Sequence, residues 1–551
     1  MNRIVGPRAT GAGGVSVPAR VPVPKHTLPH RLLIAAVALV ATLMAGCAGP
    51  LPQVDRTPAT ALVGAADAPL VGVAREAGVT PGNSGVWPLL QAGYALDARL
   101  ALIENARTSL DLQYYLIGDD SIGRLILREV RDAALRGVRV RLLLDDLDTT
   151  DMDPLLLGLA AYPNVEVRLF NPFITARESW PRRLIALASD FKRLNHRMHN
   201  KLFVADGAVA IVGGRNLADE YFLRGAQGNF IDFDMLLTGA VMPALNQEFD
   251  RYWNSPQVYP LQAITIASGR PSVAAAEAQA TFEAATAAEQ RPAAPTTADV
   301  FGAPAFSRAL AQHHVRLIVA PSAAYADPPD KIEPARHGVA TEETLTHRFL
   351  QRLDKTRTEA DLFSPYFIPG TDALASIGKL RAAGVRVRIV TNSLAASDEP
   401  LVNVGLVRHQ IELLKMGAEL YELSSERLKL NRTLRGLLGT TIGRLHAKLA
   451  VLDHRTVLVG SMNLDPRSAV INTEIGVRVE SAELAELVLQ GFKVDELAGV
   501  YQVELRPDGK GVRWMAVNGG HPEERDVDPD TSLWQRLQLL LLSLFVPESQ
   551  L

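Results

Sequence analysis

Two short stretches of the chain each combine a histidine, a lysine, an aspartate and an asparagine at one fixed spacing. The two sets are His199, Lys201, Asp206 and Asn216, and then His446, Lys448, Asp453 and Asn463. The second set follows the first at the same offset at every position, and the pentapeptide that begins at Gly137 returns at that offset as the one that begins at Gly384. The chain therefore contains a long internal duplication.

A histidine beside a lysine and an asparagine suits the chemistry of a phosphate group. The lysine supplies a compact positive charge and the asparagine an amide donor, and a neutral imidazole can attack phosphorus or move a proton near pH 7. Two copies brought face to face would offer one histidine to attack and one to protonate the leaving group. The lysines and asparagines would then stabilise the phosphoryl oxygens without a metal. Duplication of a fold has no structural reason to keep these polar residues together, so the pattern favours catalysis over an exposed polar pair.

Short hairpins must position these residues. Residues 201–205 predict a strand, Asp206 begins a favoured two-residue turn, and residues 208–212 predict the return strand. Positions two apart on a strand share a face, so His199 and the lysine two residues later point the same way, while the aspartate lies away from them at the turn. The second copy predicts the same hairpin, with its turn at Asp453.

Alternating strands and helices around the hairpins predict an α/β fold. In the first half, apolar periodicity predicts a helix over residues 96–106, a strand over 110–116, a helix closed by Gly137 and a strand over 138–144. The second half repeats this plan around Gly384. We expect two duplicated halves, each a mixed sheet flanked by helices, packed as a pseudo-twofold pair.

The duplicated pattern resembles the HKD motif of the phospholipase D superfamily. The resemblance implies two phospholipase D-like halves that share one active site and a covalent phosphohistidine intermediate, with His199 as the nucleophile and His446 as the general acid and base. The other residues that it implies for catalysis or phosphate binding are Lys201, Asp206, Asn216, Lys448, Asp453 and Asn463. The motif aspartates are mainly structural in the family, in agreement with their predicted place at the turns.

The family also carries an acidic residue after each motif that orients a histidine. The matching candidates are Asp232 and Glu474. Gly214 departs from the pattern, because many members have serine there, as this chain does at Ser461. We expect the loss of this hydroxyl to leave the activity in place. The resemblance implies no cofactor and no metal.

Within the superfamily, the chain resembles the cardiolipin synthase C type. The run from Leu110 to Tyr115, the run from Arg197 to Lys201 and the leucine-rich tail carry this resemblance, together with an export signal. It implies transfer of a phosphatidyl group from a second phospholipid, such as phosphatidylethanolamine, to phosphatidylglycerol. Hydrolysis to phosphatidic acid stays open as an alternative. A nuclease and a lipoprotein scaffold with a relic site are less favoured, because the net charge is −3 and both copies keep their residues.

Residues 1–47 predict an export signal that ends at Cys47. Five basic residues precede an apolar run, residues 32–45, which is too short for a membrane span and typical of a signal. Cys47 is the single cysteine of the chain, so no disulfide can form within it. It follows Ala-Gly directly and resembles a bacterial lipobox, in which the cysteine is lipidated. We expect an exported lipoprotein that faces the periplasm from the inner or outer membrane.

A chain of 551 residues can hold two or more domain-sized cores, and one chain with both motifs makes a monomer sufficient for the site. The predicted division is a signal over 1–47, a tether over 48–85, a first half over 86–258, a connector with an Ala/Pro-rich insertion over 259–340, a second half over 341–496, and a hairpin with a leucine-rich tail over 497–551. We expect phospholipid and membrane partners and no nucleic acid.

Two further segments allow two interpretations each. Residues 177–197 carry six arginines or lysines, which fit either a solvated face or an approach for anionic lipid headgroups. Residues 533–546 are rich in leucine and fit either a helix packed on the body or an interfacial membrane element.

Overall fold

The computed structural model describes residues 51–175, 177–333, 342–430, 443–492, 499–518 and 521–543. The predicted export signal and the predicted lipidation at Cys47 lie outside these ranges. Within them, no helix combines the length and the apolar character that a membrane crossing requires.

The strands of the described residues fall into two large sheets and one small one. They are β1 (Ser84–Leu89), β2 (Ser109–Tyr114), β3 (Arg139–Asp145), β4 (Val165–Phe170), β5 (Leu202–Ala205), β6 (Val209–Gly213), β7 (Asn229–Ile231), β8 (Asp234–Gly239), β9 (Val258–Pro260), β10 (Ile318–Ala320), β11 (Ser322–Ala326), β12 (Glu359–Phe363), β13 (Arg386–Asn392), β14 (Glu419–Leu423), β15 (Gly443–Leu445), β16 (Leu449–Leu452), β17 (Thr456–Gly460), β18 (Ile475–Glu480), β19 (Val500–Leu505), β20 (Val512–Asn518) and β21 (His521–Arg525).

Helices flank both large sheets. They are α1 (Pro69–Glu76), α2 (Ala92–Asn105), α3 (Ser121–Leu135), α4 (Asp153–Ala160), α5 (Trp180–Ser189), α6 (Phe191–Leu194), α7 (Met242–Trp253), α8 (Leu261–Ala267), α9 (Ala275–Thr286), α10 (Phe306–Ala311), α11 (Leu345–Leu353), α12 (Thr371–Ala382), α13 (Pro400–Lys415), α14 (Ser425–Leu430), α15 (Ala482–Phe492) and α16 (Leu533–Ser543). Single helical turns cover Asp219–Phe222, Pro329–Ile332, Leu394–Ala396 and Arg467–Ile471.

The two large sheets repeat one topology. Their strand orders are β10-β1-β8-β6-β5-β2-β3-β4-β9 and β11-β18-β17-β16-β12-β13-β14-β19-β20-β21. In the first sheet β2, β3 and β4 are parallel, and the hairpin β5–β6 joins β2 antiparallel. In the second sheet β12, β13 and β14 are parallel, and the hairpin β16–β17 joins β12 antiparallel. The predicted fold class, a duplicated mixed α/β architecture, is confirmed.

A shared apolar core joins the two sheets. It contains Val212 and Leu237 from the first sheet and Val459 and Val477 from the second, all buried. Helices α2, α3 and α4 cover the outer face of the first sheet, and α11, α12 and α13 cover that of the second. Full burial of such a side chain stabilises the fold by about 1.5–3 kcal/mol, so this core holds the two halves in one arrangement.

The tether predicted over residues 48–85 is wrong for its described part. Arg56 donates hydrogen bonds to the carbonyl oxygens of Pro256 and Val258, at 2.9 and 2.6 Å. The segment continues over the turn of the first hairpin, where a Cβ on Gly207 would lie 2.8 Å from the carbonyl oxygen of Leu62. This strap, residues 51–64, is held by separate hydrogen bonds to residues such as Asn254 and Asp250, so it leaves no apolar periodicity in the sequence.

The connector takes part in both sheets. Its strand β10 pairs with β1 in the first sheet, and β11, which begins two residues later, pairs with β18 in the second. The Ala/Pro-rich insertion forms the surface helix α9, which buries Phe282 against the first half. The tail forms the predicted hairpin, as β19 and β20, and is extended by β21.

The motif aspartates clamp the start of a neighbouring strand in each half. The carboxylate of Asp206 accepts hydrogen bonds from the backbone amides of residues 107–109, at 2.7–3.1 Å. Asp453 accepts the same bonds from residues 357–359, at 2.7–3.3 Å. Both aspartates have a positive φ, 52° and 53°, as a tight hairpin turn requires. The two clamps differ in exposure, because Asp206 is buried and Asp453 is partly exposed.

We expect Asp206→Ala to lower the urea midpoint of unfolding more than Asp453→Ala does. A backbone donor that loses its partner in a buried place costs about 1–3 kcal/mol, whereas water can replace the partner at an exposed place. Urea unfolding of the two single variants and the unaltered protein checks this. Equal shifts of the midpoint would contradict the burial argument.

Candidate active site

The two histidines are brought together by backbone hydrogen bonds between the two halves. Met198 forms a parallel bridge with Thr473, and the amide of His199 donates to the carbonyl oxygen of Thr473 at 2.9 Å. In the other direction β15 pairs in parallel with β7, and the amide of His446 donates to the carbonyl oxygen of Ile231 at 2.7 Å. The chain that leads into each histidine therefore lies beside the chain that precedes the acidic residue of the opposite half.

Each histidine is hydrogen-bonded to the acidic residue of the opposite half. His199 Nδ1 lies 3.0 Å from Glu474 Oε2, and His446 Nδ1 lies 2.7 Å from Asp232 Oδ2. The two acids occupy equivalent positions in the two sheets. Asp232 lies two residues before Asp234, which pairs with Gly213, and Glu474 lies two residues before Gly476, which pairs with Gly460. An ionised carboxylate only accepts hydrogen bonds, so each Nδ1 carries the proton and each Nε2 keeps its lone pair.

Burial sets the protonation of these groups. It lowers the pKa of His199 to about 4 and also lowers that of His446, so both imidazoles are neutral near pH 7. Burial alone would raise the pKa of Glu474 and Asp232, but the histidine that each contacts and the neighbouring lysine outweigh it and lower both values. The site thus holds two neutral imidazoles, each fixed by a carboxylate.

Glu474 is supported by its own half. Its carboxylate accepts hydrogen bonds from the hydroxyls of Ser461 and Ser468. Its backbone amide donates to Asp327 Oδ2 at 3.0 Å, and Lys331 Nζ donates to the same oxygen at 2.7 Å. The run from Asp327 to Lys331, at the lead-in to the second half, therefore fixes the backbone of Glu474.

Gly214 and Asp232 form a matched pair in the first half. A Cβ on Gly214 would collide with the Asp232 carboxylate, which occupies the space that a serine would need. The Asp232 carboxylate accepts instead from the amide of Phe233 at 2.7 Å, and Arg215 donates to the Asp232 carbonyl oxygen at 2.6 Å. Where Glu474 accepts a hydrogen bond from the Ser461 hydroxyl, the shorter Asp232 accepts one from the backbone amide of Phe233.

Both motif lysines are buried next to the histidines. Lys201 Nζ donates to the carbonyl oxygen of His199 at 2.8 Å, and Lys448 Nζ to that of His446 at 2.7 Å. Burial lowers the pKa of Lys201 to about 7 and that of Lys448 to about 8, although Glu474 and Asp232 oppose the shift. An anion bound between these amines would restore their charge, which is the electrostatic requirement of a phosphate site.

The two motif asparagines have different surroundings. Asn216 Oδ1 accepts from the amide of Leu116 at 3.3 Å, and its Nδ2 donates to the hydroxyl of Tyr221 at 2.9 Å. Asn463 Oδ1 is buried and has no hydrogen-bond partner among the described residues. Asn463 therefore has one side-chain oxygen without a partner, whereas both side-chain polar atoms of Asn216 have partners.

Aromatic rings that sequence reasoning missed pack on both imidazoles. Tyr115 meets His199 edge-on with ring centroids 5.2 Å apart. Tyr221 meets His446 in the same way at 5.0 Å, and Phe230 lies 4.7 Å from it. Tyr115 follows the carboxyl end of a parallel strand, where sites of α/β proteins gather, and that signal could have found it. Tyr221 lies in the helical turn Asp219–Phe222 and Phe230 in the short strand β7, and neither element gives such a signal.

Three of the six basic residues of segment 177–197 are buried, namely Arg177, Arg183 and Arg197, while Arg182 and Lys192 are exposed, so neither interpretation describes the segment as a whole. Arg177 donates to both carboxylate oxygens of Asp153, at 2.6 and 2.8 Å. Arg197, which lies two residues before His199, donates to the carbonyl oxygen of Asn171 at 2.7 Å. These buried arginines fix the chain that enters the site, while Arg182 stays exposed.

Comparison with known proteins agrees with this geometry. The family model described as "Cardiolipin synthase, PLD-like domain" matches residues 100–253 and 349–495. The chain is 36% identical to "Cardiolipin synthase C" of Escherichia coli K12, over 85% of this chain and 96% of that protein. It is 25% identical to a "Cardiolipin synthase" of Staphylococcus aureus, over 76% of this chain and 68% of that one. The crystal structure of phosphatidylserine synthase from Haemophilus influenzae Rd KW20 shares the fold, with a TM-score of 0.51 and 16% identity, over 75% and 86% of the two chains.

The hydrogen bonds from each histidine to the acid of the opposite half predict for which pairs of substitutions the losses of activity add up. Glu474→Gln should lower kcat on a soluble phosphodiester by about 10²–10⁴, because His199 loses the acceptor that orients it. Added to His199→Ala, the same change should cost nothing further, because the two residues act as one unit. Steady-state rates with a nitrophenyl phosphodiester measure both effects.

The control is the pair Glu474→Gln and Asp232→Asn. These acids serve different histidines, so their combined loss should exceed either single loss. A double variant of His199 and Glu474 that is slower than His199→Ala alone would show that the acid acts through something other than this histidine.

Proposed function

Because the chain belongs to the cardiolipin synthase family of phospholipase D-like enzymes, we propose that it transfers a phosphatidyl group to phosphatidylglycerol and so makes cardiolipin. One observation carries this proposal: each of the two histidines is held by a carboxylate of the opposite half, beside a buried lysine. The similarity to cardiolipin synthase C along nearly its whole length supports the choice of lipid substrates.

The first step forms a bond between His199 Nε2 and the phosphorus of the donor phospholipid. The bond from phosphorus to the headgroup alcohol breaks, and the leaving oxygen takes a proton from His446 Nε2. His446 must first take up that proton from solvent, because the free site holds both imidazoles neutral. Two observations support these roles. Lys448 Nζ lies 3.2 Å from both ring nitrogens of His446, so its charge makes this imidazole the poorer nucleophile. The His199 side chain is 12% exposed and that of His446 is 6% exposed, so His199 is the more accessible nucleophile.

The second step returns the phosphatidyl group to an alcohol. A hydroxyl of phosphatidylglycerol attacks the phosphorus, His446 accepts the hydroxyl proton, and the bond to His199 breaks. Lys201 and Lys448 stabilise the charge on the phosphoryl oxygens in both steps, since a buried ammonium acts strongly in a low dielectric. The products are cardiolipin and the donor's headgroup alcohol, and both histidines return to their starting state.

We further propose that the enzyme works at a membrane surface, exported and anchored through a lipidated Cys47 on the side that faces the periplasm. An exposed apolar face on α5 and α6 supports this. Its members are Trp180 (46% exposed), Leu184 (57%), Ile185 (51%) and Phe191 (46%). The exposed Arg182 and Lys192 flank this face and complement anionic headgroups, and the segment ends five residues before His199.

We expect the full chain, in vesicles of phosphatidylglycerol and phosphatidylethanolamine, to produce cardiolipin that mass spectrometry detects. His199→Ala should produce none, because the covalent step is lost. Phosphatidic acid without cardiolipin would make the enzyme a hydrolase. Neither product, with several donor lipids, would favour a nuclease or a scaffold.

The membrane-facing surface predicts which tryptophan reaches the acyl chains. Of the five tryptophans, Trp180 and Trp534 are exposed, and Trp87, Trp253 and Trp514 are buried. Vesicles with brominated acyl chains should therefore quench the fluorescence of the full chain, and Trp180→Phe should remove most of that quenching. The matched control, Trp534→Phe, should keep it. The reverse result would place α16, and not α5, against the membrane.

A further inference from the structure

We propose that a cavity in the second half binds one acyl chain of the phospholipid substrate, an inference that rests on the proposed function. The cavity has a volume of about 240 Å³ and lies between α11, α12 and the chain that follows β17. Its lining is mainly apolar and includes Phe349, Leu353, Phe367, Ile377, Met462 and Leu464. This volume far exceeds the space that one ordered water needs.

The cavity begins at the phosphate site. Asn463, a motif residue, is part of its lining. A smaller cavity of about 40 Å³ is lined by the same Phe349, Met462 and Leu464, and also by Lys448. The apolar space therefore starts beside two residues that hold the phosphate and extends away from them under the helices. A phospholipid has the matching shape, a phosphodiester with an apolar chain attached.

The first half shows why this space is open in the second. The amide of Gly118 donates to Leu217 at 2.9 Å, and that of Ile368 donates to Leu464 at 2.8 Å, so Gly118 and Ile368 are equivalent. In the first half a Cβ on Gly123 would collide with the Gly118 carbonyl oxygen, which means that α3 packs directly on this turn. The corresponding third residue of α12 is Ala373. With Ile and Ala in place of two glycines, α12 cannot approach as closely.

A second difference between the halves lies at the mouth of the cavity. The Tyr221 hydroxyl accepts the hydrogen bond of Asn216 and closes the first half. Ser468 stands at the same offset in the second half and accepts instead from the backbone amide of Asn463 at 3.2 Å. Asn463 Oδ1, whose equivalent in the first half accepts from the amide of Leu116, is buried without a protein partner among the described residues. Asn463 itself is only 8% exposed. A buried polar atom with no partner is costly unless a ligand or water meets it, which marks the mouth as a place for a bound group.

The experiment fills the cavity with a side chain. Ala373 lines it, and Ala373→Trp should lower kcat/KM for a long-chain phosphatidylglycerol by about tenfold or more, because several methylene groups lose their apolar contacts. The rate with the dihexanoyl lipid, whose chains are too short to fill the cavity, should change little. Ala375→Trp is the matched control, because Ala375 is exposed on the same helix, and it should leave both rates unchanged.

The outcomes separate this proposal from the proposed function. Equal losses on both lipids would mean that Ala373→Trp disturbs packing, and no loss on either would mean that the cavity holds no chain; each overturns the proposal. If the unaltered protein makes no cardiolipin, the proposed function fails, and native mass spectrometry of the full chain with a long-chain lysophospholipid then tests the cavity. Ala373→Trp should lose the bound lipid and Ala375→Trp should keep it. Retention by both would overturn the cavity.

Discussion

The site depends on one constraint: each histidine takes its hydrogen-bond acceptor from the opposite half. His199 needs Glu474 and His446 needs Asp232, so a half that stood alone would present an imidazole without its carboxylate. The shared core between the sheets, and the connector strands that join one sheet to the other, therefore do more than stabilise the fold. They keep two acceptor–donor distances near 3 Å, and a small shift between the halves would release both histidines together.

Burial of the charged residues sets the pKa values of the site and also affects the stability of the fold. Lysines and carboxylates away from water are destabilising unless they are paired and hydrogen-bonded, and each one here has such partners. The lysines still have lowered pKa values, to about 7 and 8. The unliganded site is thus short of positive charge that an anionic phosphodiester would restore. A bound phosphodiester anion would favour the charged form of both lysines, which favours a phosphodiester over neutral ligands.

The parts that local sequence patterns control could be predicted. The duplication, the hairpins and the parallel strands follow from apolar periodicity and turn residues, and the motif residues follow from repeated polar types at fixed spacing. The crossed partners could not, because Glu474 lies far from His199 in sequence and nothing local records which acid meets which imidazole. The strap over residues 51–64 was mistaken for a tether because an extended segment has no periodicity. For residues 177–197, a solvated face and an approach for headgroups both assumed exposed cations. Neither anticipated the buried Arg177, Arg183 and Arg197, because burial by ion pairs leaves no apolar pattern.

In the proposed transfer reaction, one histidine is the nucleophile and the other is the general acid and base. The duplicated fold alone does not distinguish the two histidines. The distinction comes from residues around the motifs, which have diverged while the motifs have not. Lys448 Nζ lies 3.2 Å from both ring nitrogens of His446, and its charge makes this imidazole a poorer nucleophile than His199. Both side-chain polar atoms of Asn216 have partners, whereas Asn463 Oδ1 has none among the described residues and Asn463 lines an apolar cavity. In the proposed mechanism, the second half is therefore the side that receives the lipid and moves the proton, and the first half is the side that attacks.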